Sequence, residues 1–417
     1  MEKQKRAHNK YKHLYTCLLT LALAGWAVLI TPFYASAGGF AVYTHGAREL
    51  ARGNSVVASP EGPTSSFFNP ATLSELKGNQ VETGVVLIAP SKEFTSSTSG
   101  LTTESESNLG TPFTLFSAWH INDRFTAGLG INNPFGLGNE WPSAWEGRYL
   151  STEGEMQSFL VNPSMAWRVT DRFTMAAGVD FLTADIRLEN KFPLGPIDGN
   201  RKFEADGDAW GFNLGLLYKI TNRISFGLSY RSGFDLEVEG DIEFTPQVPP
   251  ILNNTTGHGE INLPAQAFAG LAFQVTNSFV FEIGCRWEEW SCYEDLTLFF
   301  DTPVAGKTMS VVAKNWGDNY AFNAGGKYRI DEGLDLLFGY LYDGSPVNDE
   351  TFEPSISDAQ KHLLSLGVSK SFKNLTGSLT YAYQRYKGRD KNNAIATSNG
   401  SYSQQTHMAA ISLAYTF

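Results

Sequence analysis

The chain ends on Ile411-Ser412-Leu413-Ala414-Tyr415-Thr416-Phe417, where large apolar side chains alternate with small or polar ones and the last residue is a phenylalanine. A period of two places the two sets on opposite faces of a β-strand. The pattern recurs upstream. Phe212, Leu214, Leu216, Tyr218 and Ile220 share one face, with Asn213, Gly215 and Lys219 on the other. Leu364, Leu366 and Val368 alternate with Ser365, Gly367 and Ser369, and Leu379, Tyr381 and Tyr383 with Ser378, Thr380 and Gln384. Strands apolar on one face and polar on the other, separated by polar turns, are the signature of a β-barrel that crosses a membrane.

The turns give the strand count. Asn122-Asp123-Arg124, Thr170-Asp171-Arg172, Thr221-Asn222-Arg223, Thr276-Asn277-Ser278, Asp331-Glu332-Gly333 and Lys373-Asn374 are short and rich in residues that favour tight turns. Trp119, Trp167, Tyr218, Phe273 and Tyr328 precede five of them at one depth, as an aromatic girdle at a membrane interface would. Between successive turns lie 42 to 55 residues, room for a strand up, a loop and a strand down at about 9–11 residues per crossing. Six turns and two termini make seven hairpins, so the expected fold is all-β: a 14-stranded antiparallel transmembrane barrel over residues 78–417. Its short turns face the periplasm, and Phe417 ends a closing strand paired to one beginning near Val81. The long connections are expected as loops at Ser91–Gly110, Asn139–Glu155, Pro193–Gly207, Pro246–Gly257, Asp343–Ala359 and Gly388–Gln404.

The other end is a targeting segment. Lys3, Lys5, Arg6, Lys10 and Lys12 precede the 14-residue apolar run Cys17–Ile30, and Ala35-Ser36-Ala37 supplies small residues for cleavage. The run is short for a bilayer span, so residues 1–37 read as a signal peptide. Its removal takes away five basic residues and Glu2, moving the formal charge from −11 to −15, against any role with nucleic acid. It also leaves Cys285 and Cys292, seven apart in one strand-like segment and poorly placed to bridge. Residues 38–77 are broken by Gly38, Gly39, Gly46, Gly53, Gly62, Pro60, Pro63 and Pro70, yet Phe40, Tyr43, Phe67, Phe68 and Leu73 are too apolar for a solvated tail. They are expected to form a plug inside the lumen.

Several segments resemble the FadL/TodX family of outer-membrane transporters of long-chain fatty acids and other hydrophobic compounds. In the plug these are Gly39-Phe40, Arg48 to Asn54, and Phe67-Phe68-Asn69-Pro70-Ala71-Thr72-Leu73. Further on they are Gly128 to Leu137 with Trp141 to Tyr149, Asp206 to Gly211, Tyr230-Arg231-Ser232, Leu263-Pro264, and Tyr342 to Val347. The resemblance runs in order along the mature chain. It implies a monomeric barrel closed by an N-terminal hatch, a ligand pocket touched by Phe40, and Asn69-Pro70-Ala71 beside the wall. It also implies a lateral exit where the third strand is kinked, at Asn133, Pro134, Phe135 and Gly136. Pro134 supplies a physical reason for that kink, since it cannot donate a ladder hydrogen bond. The backbone there is expected to be unpaired and to face the lumen. Asn133 falls at a family position for a fatty carboxylate and Lys191 near another. The segment Glu294–Phe300 holds no lysine, so Arg187, Arg286 and Lys314 stand as substitutes, and neutral aromatics or alkanes stand beside fatty acids as ligands.

The implied partners are a hydrophobic small molecule, outer-membrane lipids with lipopolysaccharide, and the barrel-assembly machinery. The histidines of the mature chain, His45, His120, His258, His362 and His407, lack metal-ligand spacing, and no Ser/His/acid set assembles. No enzyme activity, cofactor or metal is expected. Glu282, Glu288 and Glu289 near Arg286 read as a lumenal ion-pair network. A surface receptor or adhesin, with the loops as its working part, is the alternative, and a general water-filled porin is third.

Overall fold

The computed structural model describes residues 38–106, 109–394 and 396–417; the expected signal peptide, residues 1–37, lies outside them. Fourteen strands close into one antiparallel barrel. In chain order they begin with β1 (Gln80–Ser96), β2 (Phe113–His120), β3 (Phe125–Asn132, resuming at Gly136–Glu140), β4 (Glu153–Thr170) and β5 (Phe173–Leu194). Next come β6 (Ile197–Lys219), β7 (Ile224–Arg231 and Phe234–Thr245), β8 (Thr255–Leu263 and Gln266–Thr276) and β9 (Phe279–Glu288 and Asp295–Val304). The circuit ends with β10 (Lys307–Ala313 and Asn319–Asp331), β11 (Leu334–Asp343), β12 (Lys361–Phe372), β13 (Leu375–Tyr386) and β14 (Gly400–Thr416).

Closure is continuous. β1 pairs with β14 from Gln80↔Thr416 to Ser96↔Gly400, and the Phe417 amide donates to the Asn79 carbonyl at 2.8 Å. A closed ladder matters in lipid, where each unsatisfied backbone group costs several kcal/mol. The alternation is obeyed: Leu364, Leu366 and Val368 face outward, while Leu363, Ser365 and Ser369 are buried within. Around the periplasmic rim the girdle residues stack on their neighbours, Trp119 on Phe417 across β1 at 5.6 Å and Trp167 on Phe125 of the adjacent strand at 6.2 Å. All six expected turns join consecutive strands. Cys285 and Cys292 are both free thiols.

The outer connections are more ordered than the sequence suggested. Pro193–Gly207 is not a loop; β5 and β6 stay paired as far as Leu194↔Ile197, where Gly195 at φ 67° turns the chain. Likewise β1 continues to Ser96, well into the expected Ser91–Gly110 loop. The lipid-facing alternation stops at the membrane boundary, but the ladder continues beyond it, with polar residues on faces that water can reach.

Inside, Gly38–Leu76 fills the periplasmic half of the lumen. It begins with a turn at Gly39-Phe40 and an isolated antiparallel bridge from Ala41 to Phe135, followed by helix α1 (Ala47–Ala51) and two 3-10 turns, Pro63–Phe67 and Pro70–Glu75. The wall makes room with lumen-facing glycines. A Cβ on Gly227 would overlap the Val57 carbonyl, and one on Gly325 the Arg52 carbonyl.

Candidate functional site

The hatch is held to the wall by directional bonds. Asn69 carries the largest share of one corner: its carbonyl accepts from the Ala71 amide, starting the Pro70–Glu75 turn, while its amide donates to the Val57 carbonyl at 2.8 Å and the Leu216 carbonyl of β6 at 2.9 Å. Pro70 suits the first position of that turn because its missing N–H would be an orphan there. Ala71 is fully buried, and Gly215 of β6 lies so close that a Cβ would strike the Asn69 carbonyl oxygen. At the opposite side Ser412 accepts from the Ala47 amide, while Thr380 and Ser365 donate to the carbonyls of Ala47 and Ala51.

Charges tie the same interface. Arg48 pairs with Glu82 of β1 at 2.7 Å, Arg52 with Glu61 at 2.6 Å, and Glu61 with Lys327 of β10 at 2.8 Å. Glu282 of β9 accepts from the Val57 and Ala58 amides and faces Arg52 at 3.8 Å. Thus the expected acidic network divides: Glu282 serves the hatch, Glu288 pairs with Arg286 at 3.1 Å, and Glu289 joins neither. Arg286 lies over the Tyr43 ring and also pairs with Asp343 at 2.9 Å, and it does not line the ligand cavity described below. His45 packs on Phe67 at 3.8 Å; burial, then the charge of Arg231, push its imidazole down to about 3.

Phe40 marks the upper limit of the hatch. Its ring sits in an aromatic box of Trp290 (4.7 Å), Tyr293 (5.8 Å), Trp316 (5.8 Å) and Phe135 (6.3 Å). Phe135, Trp290 and Trp316 lie in the breaks of β3, β9 and β10, where the alternation lapses and a strand side chain can turn toward the axis. Sequence reading missed the box, although two tryptophans at interruptions of otherwise regular strands were the signal that marked it.

Above Phe40 opens a cavity lined by residues from β3 through β10 and by the loop between β11 and β12. Leu137, Met156, Ile186, Leu188, Phe203, Ile242, Ile261, Leu296, Leu298, Phe300 and Val312 make most of its surface. Lys314 and Glu353 form an ion pair in its wall. Of the expected carboxylate contacts, Lys314 lines this cavity. Arg187 lies at the outer rim, shared among Glu153, Glu189 and Glu204. Lys191 is outside it, its amide on the Arg148 carbonyl. Arg201, which the sequence reading passed over, lines the cavity and donates to Asn190.

The third strand bends inward at Asn133-Pro134-Phe135, all three buried. Toward β4 the bend is sealed by side chains: Asn133 donates to the Ser158 carbonyl at 2.6 Å, and the Phe135 amide donates to the Ser158 hydroxyl at 3.0 Å. Toward β2 the ladder ends at Leu115↔Ile131, followed by one bond from the Phe113 amide to Asn133 at 3.0 Å. Gly136–Glu140 then pairs in a ladder with β4 alone among the described residues. The lumen-facing backbone expected to be unpaired has partners at Pro134 and Gly136. The Val42 amide donates to the Pro134 carbonyl at 2.7 Å and the Gly136 amide to the Phe40 carbonyl at 2.8 Å, so the start of the hatch acts as the missing partner strand. A free carbonyl and amide facing an apolar lumen would be costly, which is why the hatch takes them up.

The family described as outer membrane protein transport protein (OMPP1/FadL/TodX) has a sequence model that matches residues 28–417. A 47 kDa outer membrane protein of Pasteurella multocida is 25% identical over 387 residues, covering 86% of this chain and 89% of its own. A long-chain fatty acid transport protein of Escherichia coli O6:H1 is 24% identical over 400 residues, covering 85% and 88%. Among solved structures, a FadL homologue of Pseudomonas aeruginosa matches with a TM-score of 0.82 at 20% identity, over 91% of this chain and all of that one. The toluene transporter TodX of P. putida matches with a TM-score of 0.71 at 19% identity, over 89% and 98%.

Proposed function

This chain belongs to the FadL/TodX family of outer membrane transport proteins, and from that premise we propose that it is an outer-membrane channel through which hydrophobic molecules enter the cell and leave sideways at the kink of β3. The observation that carries the reading is the hatch segment Phe40–Val42: the Phe40 side chain floors the apolar cavity, and the segment's backbone closes the bend in β3. One small movement therefore opens the cavity floor and the wall together. The two backbone bonds to be released are each worth about 1 kcal/mol net, within reach of ligand binding energy.

In this mechanism the outer loops deliver the ligand to the cavity and Phe40 senses it. Asn69-Pro70-Ala71 hold the rest of the hatch still, and Asn133, Pro134, Phe135 and Gly136 form the gate. Of the possible carboxylate contacts, Lys314 is the one inside the cavity, while Asn133 is committed to the bend. Transport is diffusive; binding and hatch rearrangement do the work, with no chemical step and no cofactor. The protein acts as a monomer among outer-membrane lipids and lipopolysaccharide, and the barrel-assembly machinery inserts it through the strand ending at Phe417. The receptor or adhesin alternative has no supporting relative. A water-filled porin conflicts with a lumen occupied by packed side chains.

Uptake of radiolabelled toluene and of a radiolabelled long-chain fatty acid by cells with and without the gene tests the reading. At least one of the two is expected to enter faster with the gene present. Equal entry of both in the two strains would sink it.

A further inference from the structure

We propose that Glu353 sets ligand class by cancelling the charge of Lys314, so that the closed end of the cavity accepts an uncharged hydrophobic molecule and refuses a carboxylate. The inference rests on the channel reading above and deepens it. Lys314 is the one cation lining the closed end, on the segment next to Tyr293, whose ring packs on Phe40. Its ammonium is not available. Glu353 comes from the loop between β11 and β12 and bonds it directly, and Ser355 donates to the same carboxylate at 2.8 Å. Thr351 and Asn348 of that loop also bond the Lys314 carbonyl, so the loop and the lysine are fixed together by side chain and backbone. Both partners are largely buried, with side-chain exposures of 4% and 16%.

A ligand carboxylate arriving here would place two anions around one ammonium in an apolar cavity, and removing an ionised carboxylate from water without a partner of its own is expensive. The rest of the lining adds to the bias. Its other charged groups are Glu153, Glu155, Glu189 and Arg201, so acids outnumber bases. Among the described residues no carboxylate pairs with Arg201, but that residue is exposed at the mouth, and exposed ion pairs contribute little. An alcohol, alkane or aromatic hydrocarbon meets no such penalty.

The test uses the whole protein in lipid nanodiscs at pH 8.5, with radiolabelled hexadecan-1-ol and hexadecanoate as probes of equal chain length. The alcohol is expected to bind at least about tenfold more tightly than the carboxylate, and Glu353→Gln to tighten hexadecanoate by about tenfold while leaving the alcohol within about twofold. A double variant, K314M with E353M, keeps the cavity neutral and should behave as the parent toward both probes. This separates a charge effect from a disturbed loop. Equal or tighter binding of hexadecanoate by the parent, or an unchanged ratio in E353Q, would each overturn the assignment. Binding of neither probe would instead remove the channel reading on which it rests.

Discussion

The two halves of the lumen are filled differently. In the periplasmic half, barrel and hatch pack closely, Leu50 and Leu73 among apolar wall residues, and are tied by hydrogen bonds and ion pairs with fixed geometry: Asn69 to Leu216, Ser365 to Ala51, Arg48 to Glu82, Glu61 to Lys327. In the outer half, the wall presents leucine, isoleucine and phenylalanine to open space, and Phe40 is the hatch residue that reaches it. Directional bonds select one arrangement and hold it, whereas apolar surface accepts any molecule that removes it from water. The lower half is therefore built as a seal and the upper half as a receptacle, with Phe40–Val42 belonging to both.

That division is broken most severely at the boundary itself. Replacing Asn133–Gly136 with a β-branched run should restore a regular β3 and remove the carbonyl and amide that Val42 and Phe40 now satisfy. Uptake of labelled ligand is expected to fall to the level of cells lacking the gene, while ligand binding in purified protein persists. If the straightened variant transports as the parent does, exit lies past the hatch into the periplasm and not through β3.

A change confined to the seal should do less. Asn69→Ala leaves the Val57 and Leu216 carbonyls without the donor they now share, a cost of about 1–3 kcal/mol. The barrel ladder does not depend on it, so heat-modifiable migration on gels should stay that of a folded barrel. Amide exchange across residues 57–76 should rise, and conductance in planar bilayers should show openings absent from the parent. Unchanged exchange in that segment would mean that Asn69 is not the bolt its three bonds suggest.

How much of this was legible beforehand divides along the same line. The strand count came from turn residues and from period-two alternation, both local in sequence and both imposed by lipid, which penalises exceptions at every crossing. The plug was legible because Phe40, Phe67 and Phe68 cannot be left in water. The ion pair of Lys314 with Glu353 was not, since the two residues belong to different loops and nothing between them fixes how those loops meet. The pairing of Val42 with Pro134 escaped for a related reason: proline announces a missing donor in a ladder, but not which other segment will accept the exposed backbone. The outer loops were misread at Pro193–Gly207 because water relaxes the alternation while the ladder goes on without it.

The smallest expected effect is one of pH on the seal, and it follows from a charge count. On the α1 side of the hatch seam, Arg48, Arg52 and Lys327 face four carboxylates, Glu49, Glu61, Glu82 and Glu282. Glu49, on α1, is the carboxylate without an ion pair of its own. One oxygen accepts from Ser65 at 2.8 Å and the other has no hydrogen-bond partner. The charged groups around it are Arg48 on its own helix, Glu82 from β1 and, farther off, Glu61. The strands packed against α1 from β12 to β14 offer Ser365, Thr380 and Ser412, which do not titrate. Burial first, then the charge of Glu82, push the Glu49 carboxyl up to about 8 from an ordinary value of 4.5. The seated hatch thus holds a proton that a loosened hatch would release. Its contribution to seating is fully present below 4.5 and is lost as pH rises through 8. Protease sensitivity of the segment 40–76 should therefore be lower at pH 6 than at pH 9. Glu49→Gln, which cannot ionise, should hold the hatch at both values and flatten the profile. A pH dependence of equal slope in that variant would assign the effect to another group and leave the seal indifferent to the proton at Glu49.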